Sequence, residues 1–306
     1  MKLLLINPRG FCAGVVRAIE IVEKALQLYG PPIFVKHQIV HNQHVVDRLE
    51  KMGAVFIEEI SEVPYGSKII YSAHGVAPDV RKQAKQRALV EIDATCSLVT
   101  RIHSAVIRFA KQGYHILLIG HKNHVEVIGT FGEAPHAITI IENEKDVENL
   151  EFSADQKLCF VTQTTLSMFE LEDILKPLLK KYPNIETLPT SSICYATTNR
   201  QKALKEVAAL ADIILVVGDV KSSNSNRLQE LGIQCQKPSY LIQTYADIRA
   251  SWLTDCETIV LTAGASTPEN IVQDCVKYLR ELGVSSIDSL EMIKEDTVFQ
   301  LPKFPK

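Results

Sequence analysis

Short aliphatic and β-branched runs alternate with stretches of helical apolar spacing along most of the chain, a pattern that predicts α/β architecture on largely parallel sheets. The runs place strands at LLLI from residue 3, IFV from 33, AVFI from 54, KIIY from 68, LVEI from 89, HILLI from 115, AITII from 137, LCFV from 158, IILVV from 213, YLI from 240 and TIVLT from 258. Between them lie amphipathic segments. VVRAIEIVEKALQLYG and TRIHSAVIRFAKQG end at Gly30 and Gly113, where glycine's access to positive φ closes a helix.

The alternation repeats with a period. Cys12, Cys96 and Cys194 are separated by 84 and 98 residues, and each leads into a helix and then a strand. Those strands begin at Ile33, Ile116 and Ile213, which are 21, 20 and 19 residues past their cysteines. Polar groups follow at matching offsets: His41 is 29 after Cys12, His124 is 28 after Cys96, and Ser222 is 28 after Cys194. A further strand in each unit ends at His74, Thr164 or Ser266. Parallel α/β units carry functional groups at the carboxyl ends of their strands, so three units can face one another around a shared site. The competing explanation is coincidence, because such a chain has many polar strand ends. The units predicted are 1–95, 96–193 and 194–290, followed by a tail, 291–306, that either packs back or frays. Their borders are set by the cysteines, and the first strand is free to pair with the last unit.

Composition narrows the class. The chain has 306 residues, 46% hydrophobic and 23% charged, with a formal net charge of -3, so no basic footprint points to nucleic acid. An anionic ligand must therefore be held by a local site. The longest apolar runs fall far short of the roughly 18 residues that span a bilayer, and MKLLLINPRG is too short in apolar residues for a secretory signal. A cytoplasmic protein without membrane attachment is expected. Seven cysteines without close pairing predict reduced thiols used for packing, metal or catalysis.

A cysteine before a helix start has its thiolate favoured by the helix dipole and by unsatisfied N–H groups. One such cysteine reads as filler in a turn; three in matching positions read as ligands. They suit zinc completed by a histidine, or a cubane iron-sulfur cluster with one iron lacking a protein ligand. Cys159, Cys235, Cys256 and Cys275 lack the matching context and are expected to be structural. His44 and His121, in two HxxH pairs, have no counterparts in the other units and are expected to be solvated or capping. Ser222, Ser223, Asn224, Ser225 and Asn226 supply hydroxyls and amides at a predicted helix start, which suits a phosphate and equally suits a plain N-cap. Gly264, Ala265 and Ser266 before Thr267 and Pro268 read the same way. Neither GxxxxGK[ST] nor GxGxxG occurs, which leaves nucleotide and dinucleotide sites without support. Glu126, two residues past His124, reads from position alone as a helix-start carboxylate favoured by the dipole.

The stretches NPRGFCAGVVRAIE, VHNQHVVDRLE, SAHGV, DATCSLVTR, VTQTTLS, ICYATTNRQ, SSNSNRL and TAGASTP, in this order from residue 1 to about 300, together resemble the family of 4-hydroxy-3-methylbut-2-enyl diphosphate reductases of the non-mevalonate isoprenoid pathway. The resemblance implies three similar α/β domains in a pseudo-threefold trefoil around a central four-iron, four-sulfur cluster, with Cys12, Cys96 and Cys194 as its ligands. It implies reduction of an allylic alcohol diphosphate, whose hydroxyl meets the unique iron, to isopentenyl and dimethylallyl diphosphates. His41, His74, His124, Ser222, Asn224 and Ser266, with Ser223 adjacent, match the diphosphate pocket. Glu126 matches the proton donor, assisted by Thr164 and His124. No flavin or nicotinamide motif is visible, so electrons are expected from an external ferredoxin or flavodoxin-like donor.

The chain departs from the usual family pattern at Ser97 and Val125, where proline is common, and at Ile128, where an acidic residue is usual. These changes bear on loop rigidity and on acidity near Glu126 more than on reaction type. The rival enzyme class is another three-domain cluster protein such as quinolinate synthase, separated by diphosphate recognition around SSNSNR. A non-catalytic iron-sulfur or zinc sensor is the rival outside enzymes, and Glu126 with Thr164 argues against it.

Overall fold

The computed structural model describes residues 1–188 and 192–305. The chain opens with β1 (Lys2–Asn7), α1 (Ala13–Tyr29), β2 (Ile33–Lys36), α2 (Gln43–Lys51), β3 (Ala54–Ile57), β4 (Lys68–Tyr71), α3 (Pro78–Gln86) and β5 (Val90–Asp93). It continues through α4 (Ser97–Lys111), β6 (His115–Ile119), α5 (Val125–Gly132), β7 (Ile138–Ile141), α6 (Glu144–Glu148), β8 (Leu158–Thr162), α7 (Met168–Lys181) and β9 (Glu186–Thr187). The remainder is α8 (Tyr195–Val207), β10 (Ile213–Val217), α9 (Ser223–Gln234), β11 (Ser239–Ile242), β12 (Thr258–Ala263), α10 (Glu269–Glu281) and β13 (Ser286–Glu291). Every strand expected from the apolar runs is present. β9 and β13 were not expected: the first is two residues long, and the second, SIDSLE, sets two half-buried residues among exposed ones without an apolar run.

The strands form three sheets, in the orders β3-β2-β4-β5, β7-β6-β8-β9 and β11-β10-β12-β1-β13, and all the pairings are parallel. The three orders are equivalent. The strand that follows a cysteine-led helix lies second, and the strand leading into the next cysteine flanks the third. β1 takes that flanking place in the last sheet, with Leu3 beside Ile259, and β13 covers its other edge with Ile287 beside Leu3. Residues 1–95 therefore contribute to two sheets. β1 is fully apolar over LLLI and cannot stay at an edge in water, so it is enclosed between neighbours.

The sheets carry apolar side chains on both faces. In the second sheet Ile116, Leu118, Cys159 and Val161 pack on one side with α4, while Leu117, Ile119 and Phe160 pack on the other with Ile174 and Leu178 of α7. IILVV of β10 and LCFVT of β8 are buried throughout, as parallel strands covered by helices must be.

The chain divides into two compact bodies. The first holds Met1–Val16, His41–Val46 and Tyr195–Val298; the second holds Arg17–Val40, Asp47–Cys194 and Phe299–Lys306. The first contains the five-stranded sheet and the second the other two. Among the described residues, no helix is long and apolar enough to cross a membrane.

Candidate active site

The three cysteine turns are built alike. The Cys96 N–H donates to the Ala73 carbonyl at 2.9 Å, the Cys194 N–H to the Thr164 carbonyl at 2.9 Å, and the Cys12 N–H to the Ala265 carbonyl at 3.1 Å. Each acceptor lies just past the strand that pairs with the cysteine's own strand: β4 with β5, β8 with β9, β12 with β1. The parallel ladder thus continues one step beyond the sheet and sets each cysteine at a helix start. All three thiols are half-buried, whereas Cys159 and Cys275 are fully buried and burial pushes their thiols up to about 12. Cys235 and Cys256 are half-buried and lie outside these turns. Among the described residues, no group of three or more His, Cys, Asp or Glu side chains is placed to hold a metal ion.

In the second body, α5 starts at the end of β6 and brings Glu126 into its first turn. The carboxyl is 3% exposed and receives two bonds from one residue: the Thr164 N–H donates to Oε1 at 2.6 Å and the Thr164 hydroxyl to Oε2 at 2.8 Å. Burial raises the Glu126 pKa by penalising the carboxylate, and the Thr164 bonds and the charge of His103 oppose that rise without cancelling it. Thr164 also accepts the Cys194 N–H, so a single residue joins the buried acid to a cysteine turn.

His124 caps α5. Its Nδ1 accepts the Glu126 N–H at 3.2 Å, so the neutral ring carries its hydrogen on Nε2. The His74 and His124 ring centroids are 6.0 Å apart at 83°. The turn past His74 requires glycine, because Gly75 has φ +79° and a Cβ there would lie 3.1 Å from the His103 ring.

In the first body, Ser222 caps α9, its Oγ accepting the Ser225 N–H at 3.3 Å and the Ser225 hydroxyl at 3.1 Å. Asn224 is a cross-brace: its Oδ1 accepts the Ala265 N–H at 2.8 Å and its Nδ2 donates to the Thr197 hydroxyl at 3.2 Å. Ser266 donates to the His41 carbonyl at 2.9 Å. Gly264 admits this packing, since a Cβ there would come within 2.0 Å of the Ser225 Oγ. Ser223 opens a helix of 12 residues, whose N-terminus favours an anion.

The structure therefore distributes the expected residues between the bodies. His74, Cys96, His124, Glu126, Thr164 and Cys194 belong to the second, and Cys12, His41, Ser222, Ser223, Asn224 and Ser266 to the first. His121 faces Glu170 at 3.3 Å. Sequence reasoning missed the buried His103–Glu133 pair at 2.8 Å, whose histidine looks like any polar residue in the α4 pattern. It also passed over Gln163, whose Oε1 accepts the His121 N–H at 3.1 Å and whose Nε2 donates to Thr165 at 2.8 Å. Its place in VTQTTLS was the available signal. Of the three departures, Ser97 and Val125 are the first residues of α4 and α5, and Ile128 is 52% exposed.

Residues 3–280 match the model of the family described as LytB protein. The chain is 61% identical over 303 residues to the 4-hydroxy-3-methylbut-2-enyl diphosphate reductase of Protochlamydia amoebophila (strain UWE25), covering 99% of this chain and 97% of that one. It is 55% identical over 304 residues to the protein of the same name from Chlamydia pneumoniae, covering 99% and 98%. Among solved structures, the E-1-hydroxy-2-methyl-but-2-enyl-4-diphosphate reductase from Plasmodium falciparum superposes with a TM-score of 0.94 at 48% identity, covering 98% of this chain and 95% of that one.

Proposed function

The chain belongs to the LytB family of 4-hydroxy-3-methylbut-2-enyl diphosphate reductases, and on that premise we propose how its residues divide the reaction. The enzyme converts (E)-4-hydroxy-3-methylbut-2-enyl diphosphate to isopentenyl and dimethylallyl diphosphates by adding two electrons and two protons and releasing water. Cys12, Cys96 and Cys194 hold one four-iron, four-sulfur cluster. What supports this reading is the equivalence of their turns and their half-buried thiols. A cubane places each thiolate on a different iron, so its ligands need not converge on one point as they do at a single zinc ion. When bound, the cluster supplies electrons and a Lewis-acidic iron for the substrate hydroxyl. The electrons come from an external ferredoxin or flavodoxin-like protein.

Glu126 supplies the proton that lets hydroxide leave as water. The observation that carries this assignment is the buried carboxyl with a raised pKa, which keeps its proton where an exposed glutamate would lose it. Thr164 fixes both carboxyl oxygens, and His124 accepts the Glu126 N–H on Nδ1, which leaves its hydrogen on Nε2. The diphosphate is held by neutral donors at the start of α9, Ser222, Ser223 and Asn224, together with Ser266 and with His41, His74 and His124.

The test is Glu126→Gln, purified and assayed without oxygen. The amide keeps the acceptor for Thr164 but has no acidic proton, so turnover should fall by about 10² to 10⁴ while iron, sulfide and substrate affinity stay at parental levels. Unchanged turnover would remove Glu126 from this role.

A further inference from the structure

The residues after β13 have no role in the chemistry above, yet they touch the support of each cysteine turn. In the first body, Arg200 of α8 has a side chain that is 0% exposed. Its Nη2 donates to the Gly10 carbonyl at 2.8 Å, two residues before Cys12, and its Nη1 donates to Glu295 of the tail at 3.1 Å. Asn199 donates to the same Glu295 oxygen at 3.1 Å. Glu295 is thus the carboxylate that offsets a buried guanidinium holding the Cys12 turn. Also in the first body, Tyr195, the residue after Cys194, lies beside the Thr297 side chain. In the second body, Arg17 donates through Nε to the Gln300 carbonyl at 2.8 Å and through Nη1 to the Thr95 carbonyl at 3.0 Å, one residue before Cys96. Tyr29 adds a bond from its hydroxyl to the Pro305 carbonyl.

Tail residues 295 and 300 therefore bond the arginines that hold the Gly10 and Thr95 carbonyls before Cys12 and Cys96, and residue 297 lies beside Tyr195 after Cys194. None of these contacts is needed to build a sheet. Each acts on a residue next to, or two before, a cysteine. A buried arginine deprived of its carboxylate is strongly destabilising, so the Glu295 contact cannot be a neutral surface pair.

We propose that residues 295–300 form a strap whose contacts with Arg200, Tyr195 and Arg17 hold the three cysteine turns in their ligating positions and retain the cluster. The proposal rests on the reading of Cys12, Cys96 and Cys194 as its ligands. Glu295 and Arg200 are positioning residues, acting through the Gly10 carbonyl on Cys12.

The experiment uses the full chain, a chain ending at Lys294, and Glu295→Gln. Each is reconstituted anaerobically for iron release to a chelator, and each is also prepared free of iron for iodoacetamide alkylation mapped by mass spectrometry. Cys235, on the far end of α9, is the internal reference. Removal of the strap should speed iron release by about 10- to 100-fold, the range seen when groups supporting metal ligands are lost. In the iron-free protein all three turn cysteines should alkylate faster with Cys235 unchanged. Glu295→Gln, which preserves shape, should raise alkylation of Cys12 more than that of Cys96. If the shortened chain fails to fold, the point variant decides alone. Iron release within twofold of the full chain together with unchanged alkylation would overturn the strap. A full chain that takes up no iron overturns the cluster reading instead, and the alkylation pattern then still decides whether the tail governs the turns.

Discussion

The two bodies present opposite chemical solutions to the handling of charge. In the second, a carboxyl is buried with its pKa raised by that burial, and one residue, Thr164, is bonded to both of its oxygens. In the first, the corresponding positions after the strands carry hydroxyls and an amide that are already bonded to one another: Ser222 with Ser225, Asn224 with Ala265 and Thr197, Ser266 with the His41 carbonyl. A repeat that places polar groups at equivalent strand ends has thus been filled with a buried carboxyl in the second body and with interbonded hydroxyls and an amide in the first. Proton delivery should depend on pH and on one side chain. Anion binding should be spread over several donors.

The sharpest way to break that contrast is to compare Glu126→Gln, with its loss of about 10² to 10⁴ in kcat, with Ser222→Ala. Losing a hydrogen bond to a charged ligand costs about 1.5–3 kcal/mol, so Ser222→Ala should raise KM by roughly 10- to 100-fold and leave kcat close to the parent. Steady-state kinetics on both variants checks it. A kcat collapse in Ser222→Ala with KM unchanged would mean that the cradle takes part in the chemistry.

A smaller effect is expected at Thr164→Val. The Thr164 hydroxyl favours the ionised carboxylate, so its removal raises the Glu126 pKa further. An acid catalyst is active while protonated, and the alkaline limb of the kcat profile should therefore move to higher pH, with roughly tenfold lower kcat from a less well positioned acid. The stability linkage has the same sign. A group whose folded pKa lies above its unfolded value contributes stability fully present below the unfolded pKa and lost as pH rises through the folded one. Denaturant titrations across that range should show parental protein losing this contribution as pH rises, and Glu126→Gln should show none of that dependence.

Much of this was legible before the structure. The apolar runs fell on real strands because parallel strands covered on both faces must be apolar throughout, and the cysteine spacing marked three equivalent helix starts. β1 was less legible as a partner of β12 and β13, since its sequence states only that it is buried, not beside what. β13 was missed because it covers an edge and keeps polar residues. Glu126 looked like any carboxylate in a first helical turn, because the partner bonded to both of its oxygens, Thr164, is 38 residues away in the chain. Arg200 sat in plain view within ATTNR, but a buried arginine is recognised only by its partners, and Glu295 and Gly10 are remote in sequence.

The smallest effect concerns the helix starts of the second body. In the first body, α10 is entered through Pro268, whose fixed φ preorganises the turn. In the second, α4 and α5 begin at Ser97 and Val125. Cys96 has φ -57° and ψ 136°, and His124 φ -78° and ψ 135°, both in the extended region that a residue before proline prefers. At the first helical position the N–H has no partner within the helix, so a proline there sacrifices no bond of the ladder. Ser97→Pro and Val125→Pro should each stabilise the chain by roughly 0.4–1 kcal/mol by restricting the unfolded state, raising the denaturant midpoint without changing the slope. Since neither substitution alters a donor to the carboxyl or to the cradle, kcat and KM should hold. If Val125→Pro lowers kcat while raising the midpoint, then the freedom of the turn before Glu126 is itself part of how the acid reaches its substrate, and the rigid side of the comparison is the cradle alone.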